Sequence, residues 1–270
     1  MYEKEVTEIF QQRGLKVGSC EYFKVSFSQE PSTFKTVITT VIPYWFEPKQ
    51  LHNISIYAIL PDYHMVIGEI LKGICDELRS IFPQNIFEPH VDVSPINEKK
   101  AAFLGGLGFI GKNTLLINEE YGSFLFIGDI CTDAEININN NISEKSCKGC
   151  DLCIKSCPGN ALENGFCAEK CISFLTQKKG TLEDSEKEIL KRADSVWGCD
   201  ICSAVCPHNR KLKESEYSLK FDDKKIYNID KSLLEGISNG EFKRKFNDRA
   251  FAWRGISVLR RNLEILECTE

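Results

Sequence analysis

CKGCDLCIKSCP (Cys147–Pro158) and GCDICSAVCP (Gly198–Pro207) are the two stretches around which the rest of the chain is organised. The first has the spacing C-x2-C-x2-C-x3-C-P, the ligand run of a bacterial two-cluster ferredoxin, in which three cysteines of a run hold one cubane and the fourth crosses to the other. Three thiolates so spaced can curl around one corner of a cubane. Cys157, just before Pro158, is expected where the chain turns into a helix and points elsewhere, because proline suits a first helical position. Two 4Fe-4S clusters need eight thiolates, and the two runs supply Cys147, Cys150, Cys153, Cys157, Cys199, Cys202 and Cys206. One more ligand must come from between them, where Cys167 and Cys171 are the candidates. Zinc is also held by C-x2-C pairs, but its sites seldom use a run of four cysteines closed by proline. A disulfide framework suits small secreted scaffolds, and no secretory pattern opens this chain.

With 270 residues, 42% of them hydrophobic, the chain can bury a substantial core, and two lobes are expected. Its 13 cysteines at thiolate-ligand spacing imply a reducing compartment, hence the cytoplasm. No apolar run approaches the roughly 20 residues of a membrane helix, so no membrane association is expected. The net charge of −5 gives no general attraction to nucleic acid. From His208 onward 14 Lys and Arg face 11 Asp and Glu, a surplus that permits a phosphate-contacting face without arguing for one.

Local patterns divide the first lobe. Residues 2–13 read as a helix, and 15–25 alternate like a strand. The β-branched run TVITTVI (Thr36–Ile42), closed by Pro43, reads as a buried central strand. Tyr44, Trp45 and Phe46 follow at its carboxyl end, where they either line a pocket or cap the core. Residues 63–82 have helical periodicity, with Cys75 as a small buried hydrophobe. Residues 86–93 suggest a strand and 97–104 a helix. Gly106, Gly108 and Gly111 fit G-x-G-x-x-G but follow a helix rather than a strand, so they are read as close-packing glycines and not as a dinucleotide site. Residues 115–117 and 123–130 suggest a hairpin, and the asparagine-rich 137–141 a loop. Beyond it, short helices are expected over 168–176, 182–192, 230–234, 241–246 and 256–266. His52, His64, His90 and His208 lack partner spacing for a metal, and none is assigned as an axial ligand.

Longer motifs carry a resemblance. Val91-Asp92-Val93-Ser94-Pro95, the segment Gly106 to Leu116, Tyr121-Gly122-Ser123, Tyr57-Ala58 with Asp62-Tyr63-His64, Cys171 to Thr176, Gly198-Cys199-Asp200 and Leu259-Arg260-Arg261-Asn262 together resemble the epoxyqueuosine reductase family of tRNA queuosine biosynthesis. Long members continue with HEAT-like repeats that help grip tRNA, so the sequence resembles a short form. Val93-Ser94 departs from the small polar residue and glycine or alanine often found there.

The resemblance implies a mixed α/β (α+β) fold. A Rossmann-like or nitroreductase-like lobe for cobalamin and substrate is expected over 1–140, a ferredoxin-like double 4Fe-4S lobe over 141–212, and a short helical C-terminus over 213–270. It implies cluster ligands Cys147, Cys150, Cys153 and Cys206 for one cubane and Cys157, Cys171, Cys199 and Cys202 for the other, which selects Cys171 over Cys167. Asp92 is implied as proton donor and corrin contact, with Leu116 and Ser173 as further cobalamin contacts. The implied reaction removes the epoxide oxygen of epoxyqueuosine in a tRNA anticodon stem-loop as water, with electrons from an external low-potential donor passing through both clusters to cobalt. A monomer is expected. That reduction takes two electrons and two protons, so a low-potential relay and a nearby acid are both required. Partial desolvation by a corrin face is expected to raise the Asp92 pKa. Apart from the resemblance, Asp92 reads as a turn residue ahead of Ser94-Pro95. The same cofactors could serve a small-molecule reductase related to reductive dehalogenases, and clusters alone an electron-transfer protein.

Overall fold

The structure, a computed structural model, describes residues 2–138 and 141–267. Asn139 and Asn140 of the expected asparagine loop lie outside the described residues. The chain divides into two compact units, Met1–Tyr44 with Tyr63–Lys148, and Trp45–Asp62 with Gly149–Glu270.

The first unit begins with helix α1 (Tyr2–Gln11), which buries Val6, Ile9 and Phe10. Strands β1 (Lys16–Glu21) and β2 (Thr36–Pro43) follow. The excursion 45–62, with the short helix α2 (Ile56–Ile59), belongs to the second unit. The first then resumes as α3 (Tyr63–Ile81), β3 (Phe87–His90), α4 (Glu98–Leu104), β4 (Phe109–Ile110), β5 (Leu116–Ile117) and β6 (Leu125–Thr132). The main sheet has the order β1-β2-β6-β3. As an inner strand β2 is covered on both faces, which is why its β-branched run holds no exposed position. The α4 face packs Ala101 with Val37 and Cys131, and Ala102 with Val41. On the other face Ile67 and Leu71 of α3 close onto Gly128, where a Cβ would lie 3.0 Å from a Leu71 methyl.

The mixed α/β class is as expected, but every strand pair in this sheet is antiparallel. A Rossmann-like lobe requires parallel strands joined by crossover helices, so that part of the expectation is corrected. The expected hairpin forms only at its tip, where Asn118 and Gly122 make an antiparallel bridge, and its arms pair elsewhere. Leu116–Ile117 pairs with Phe109–Ile110, while β6 pairs with β2 and β3. Gly108 permits this exchange, since a Cβ there would stand 2.4 Å from the Ile117 carbonyl oxygen.

The second unit is built from short helices: α5 (Leu152–Ser156), α6 (Ile172–Leu175), α7 (Asp184–Lys191), α8 (Ile201–Ala204), α9 (Glu216–Leu219), α10 (Lys231–Leu234), α11 (Asn239–Lys245) and α12 (Ile256–Glu267). Side-chain caps support several of them. Ser215, Asp230 and Ser238 accept from backbone N–H groups that would otherwise lack partners. Ile172, Leu175, Leu182, Leu190 and Ile265 form one core cluster. The helix expected over 168–176 is broken by Cys171, whose extended backbone separates a 3-10 turn (Ala168–Lys170) from α6. Pro158 does not open a helix: α5 ends ahead of Cys157, and Pro158 enters a turn. Pro207 does occupy a first position, in the 3-10 turn Pro207–Asn209. Among the described residues no helix is long and apolar enough to cross a membrane.

Candidate functional site

The cysteine runs flank the turns of the second unit. Cys157 ends α5, Cys171 precedes α6, and Cys199 and Cys202 bracket the start of α8. Cys171 and Cys157 are near enough to act on Cys199, and Cys199 and Cys171 to act on Cys202. Burial pushes Cys199 up to about 11, with Cys171 and Cys157 adding to the rise. Burial likewise pushes Cys202 up to about 12, with Cys199, Cys171 and Cys153 among the contributors. Cys167 instead lies with its sulfur 3.5 Å from Glu169 Oε2. Such thiols stay protonated alone and need cationic iron beside them to ionise. Backbone N–H groups already point at some of the sulfurs: Ala161 N donates to Cys157 Sγ at 3.4 Å. In the first unit Lys112 N donates to Cys147 Sγ, also at 3.4 Å. Donors of this kind tune the potential of a cluster. Among the described residues no three His, Cys, Asp or Glu side chains are grouped as ligands of a single metal ion.

One acidic residue locks the second run to the excursion. Asp200 is half-buried, accepting from Ser55 Oγ at 2.6 Å and from Ile56 N at 2.7 Å. Trp197, fully buried, donates from Nε1 to Tyr57 Oη at 3.0 Å. Gly198, at φ +74°, donates to Thr176 Oγ1 at 3.0 Å, and a Cβ there would meet Ser55 Cβ at 2.5 Å. Asn262 of the Leu259-Arg260-Arg261-Asn262 motif is buried and donates to Thr176 O and Val196 O at 2.8 and 2.9 Å. Arg261 bonds the carbonyls of Leu175 and Gly180 at 3.1 and 2.7 Å. Sequence reasoning missed these roles. Gly198-Cys199-Asp200 was the available signal, but its partners at Ser55 and Tyr57 are far away in the chain.

In the first unit Asp92 sits in a γ-turn, with φ 61° and Val93 N donating to Val91 O at 2.7 Å. Non-glycine residues seldom adopt positive φ, and such conformations cluster at functional positions. Its Oδ2 lies 3.3 Å from His64 Nε2. The expected rise belongs to a site closed by a corrin face; the chain's own groups act the other way. The bond to His64 outweighs partial burial and holds the Asp92 carboxyl below the usual range, with Tyr63 helping. Glu98, at the start of α4, behaves oppositely: burial, with Asp92 adding, pushes it up to about 7. Asp129, paired in register with Thr39 and His90, is 1% exposed and accepts from Thr39 Oγ1 at 2.6 Å. Burial pushes it up to about 8, with Glu98 contributing. Nothing in the sequence marked either acid.

Leu116 spends its side chain in the core, 2% exposed against Ala102 and Leu107. Ser173 is half-buried on α6. The aromatic trio does not form one lining. Tyr44 stacks in the first unit on Phe126, which stacks on Tyr63, and Tyr63 on His64, at centroid separations of 4.3, 4.4 and 4.1 Å. Phe46 is buried in the second unit, beneath Lys225 Nζ at 3.8 Å.

Residues 146–209 match the 4Fe-4S double cluster binding domain, and residues 27–93 match "Epoxyqueuosine reductase QueG, DUF1730". A curated epoxyqueuosine reductase from Cellulophaga algicola is 31% identical over 243 residues, covering 86% of this chain and 77% of that protein. The chain belongs to the epoxyqueuosine reductase family. The Bacillus subtilis member is 35% identical over 206 residues, covering 74% of this chain and 52% of that one. The chain spans little more than half the length of the first curated relatives it matches. Among solved structures, the Streptococcus thermophilus epoxyqueuosine reductase superposes with a TM-score of 0.81 at 25% identity, covering 98% of this chain and 81% of that one. Another family member, solved with an epoxyqueuosine-modified tRNA stem loop, superposes with a TM-score of 0.81 at 25% identity, covering 98% and 80%.

Proposed function

We propose that this chain is an epoxyqueuosine reductase, an oxidoreductase that removes the epoxide oxygen of epoxyqueuosine in tRNA as water to give queuosine. Family membership supports the reaction, and the Asp92–His64 pair held on a strained turn is the observation that carries it to particular atoms. The relative solved with a modified tRNA stem loop supports the anticodon stem-loop as partner. A bound corrin would supply a strongly reducing cobalt centre, and two 4Fe-4S clusters its electrons, drawn from an external low-potential donor. The protein would act as a monomer in the cytoplasm.

The segments are proposed to divide the work: 1–140, with its nitroreductase-like antiparallel sheet, for cobalamin and substrate, 141–212 for the ferredoxin-like clusters, and 213–270 as helical support. Cys157, Cys171, Cys199 and Cys202 would hold one cubane, supported by their places at the ends of α5, α6 and α8 and by the nearness of Cys157 and Cys171 to Cys199. Cys147, Cys150, Cys153 and Cys206 would hold the other. Asp92 and Ser173 would contact the corrin through side chains, and Leu116, whose side chain is buried, through its backbone.

Asp92 is the proposed proton donor to the departing oxygen. The hydrogen bond with His64 favours the ionised carboxylate, so a proton for the departing oxygen reaches Asp92 only as the site closes. Exclusion of water by substrate then favours the neutral acid and moves that proton to Asp92 Oδ2. Glu98, protonated close to neutral pH and sensing the charge of Asp92, is a store for the second proton.

Protein reconstituted anaerobically with iron, sulfide and cobalamin is expected to convert epoxyqueuosine tRNA to queuosine tRNA under a strong reductant. It is expected to fail when cobalamin is withheld. No conversion under conditions where a longer family member succeeds would overturn the assignment. Conversion without the corrinoid would overturn its chemistry.

A further inference from the structure

Trp253 is 54% exposed, unusual for so large an aromatic side chain. The guanidinium carbon of Arg254 stands 3.5 Å from the centre of its ring, a stacking distance. Arg254 Nε is buried without a hydrogen-bond partner among the described residues, so the guanidinium rests on the indole rather than on an acid. Gly255, at φ +90°, brings α11 close. A Cβ there would lie 3.7 Å from Lys243 Cε and 2.6 Å from Asn239 Oδ1, and Asn239 Oδ1 accepts from Ile256 N at 3.1 Å. Lys243, exposed in the last turn of α11, therefore stands beside Gly255, the residue that follows the Trp253–Arg254 stack, and the exposed Arg244 is its chain neighbour, with Nη1 turned back towards Gly240.

The surrounding acids leave Lys243 and Arg254 unspent, while Arg244 partly serves Glu241. Glu241 is turned back onto Ser238 N and Oγ at 2.8 and 2.7 Å. Asp248 pairs with Arg249 at 3.3 Å. Arg249, Arg260 and Arg261 each bond backbone carbonyls.

We infer that Lys243, Arg244, Trp253 and Arg254 form an RNA-contacting platform that holds the tRNA away from the reacting base. The inference rests on the function proposed above. Cations contact phosphates without reading sequence, while an aromatic face with a guanidinium behind it offers a stacking surface to an unpaired base. A membrane surface fits less well, because Phe242, Phe246 and Phe251 around the ring are buried and leave no apolar patch to enter a bilayer.

The test measures binding of epoxyqueuosine tRNA to the reconstituted holoprotein across a salt series, with melting temperature and iron content as controls of folding. Trp253→Ala is expected to weaken binding about tenfold, and Trp253→Phe to restore most of it. The double variant Lys243→Gln with Arg244→Gln is expected to lower the slope of log affinity against log salt by about two. Wild-type binding with unchanged affinity and slope in the variants would overturn the platform and leave the proposed function standing. No tRNA binding by the wild type would overturn both. Trp253-dependent capture by phosphatidylserine vesicles without tRNA binding would replace RNA by a membrane.

Discussion

The two units reach order by different means. In the first, a four-stranded antiparallel sheet sits between α3 and α4, and a continuous apolar core surrounds β2. In the second, α5, α6 and α8 are 5, 4 and 4 residues long, far below the roughly 12 at which a helix in water becomes even marginally stable. Their cysteines are flanked by side chains that bond backbone groups directly, such as the half-buried Asp200 and the buried Asn262. The contrast teaches that a ligand framework can replace a ladder. Short turns suffice where thiolates and a few buried polar groups fix the chain.

The largest expected effect follows from removing that framework. Stripping iron, or making Cys202→Ala, should collapse amide hydrogen-exchange protection in α5, α6 and α8 while β2 and β6 keep theirs. Equal loss in both units, or none, would break the contrast. Next comes Asp200→Ala, which leaves Ser55 Oγ and Ile56 N without their acceptor. Denaturant unfolding should show a loss of about 3 kcal/mol, from two buried donors at roughly 1–3 kcal/mol each.

A smaller effect separates the units by pH. Asp129 binds its proton up to about pH 8 when folded, whereas an unfolded aspartate releases it near its ordinary value of 3.8. Between those values the folded state holds more protons, so its contribution to stability falls as pH rises through that window and levels off above about 8. Asp129→Asn should flatten the trend in the first unit, and an unchanged slope would show that the acid is ionised in the fold. The smallest effect is local. His64→Gln should raise the Asp92 pKa by removing its main stabilising partner, a shift readable by carboxyl NMR titration. No upward movement would sever Asp92 from His64.

Legibility in the sequence follows the same division. Thr36–Pro43, Tyr63–Ile81 and Ile256–Glu267 were readable within a residue or two, because long elements display their burial period. Two-residue strands have no period, so the pairing of Phe109–Ile110 with Leu116–Ile117 was invisible. The Asp92 turn was legible from the Ser94-Pro95 that follows it, but its pairing with His64 was not, since His64 arrives from a distant helix. The cysteine spacing marked the cluster run. The bond from Asp200 to Ser55 needed the chain to be folded first.

The central claim is that eight cysteines gather two cubanes in one chain. Iron and sulfide analysis with EPR of the anaerobically reconstituted, reduced protein tests it most directly. Two magnetically interacting 4Fe-4S clusters are predicted in the wild type, with only one surviving in Cys150→Ser and the other surviving in Cys199→Ser. Zinc in place of iron, or a single cluster in the wild type, would contradict the account.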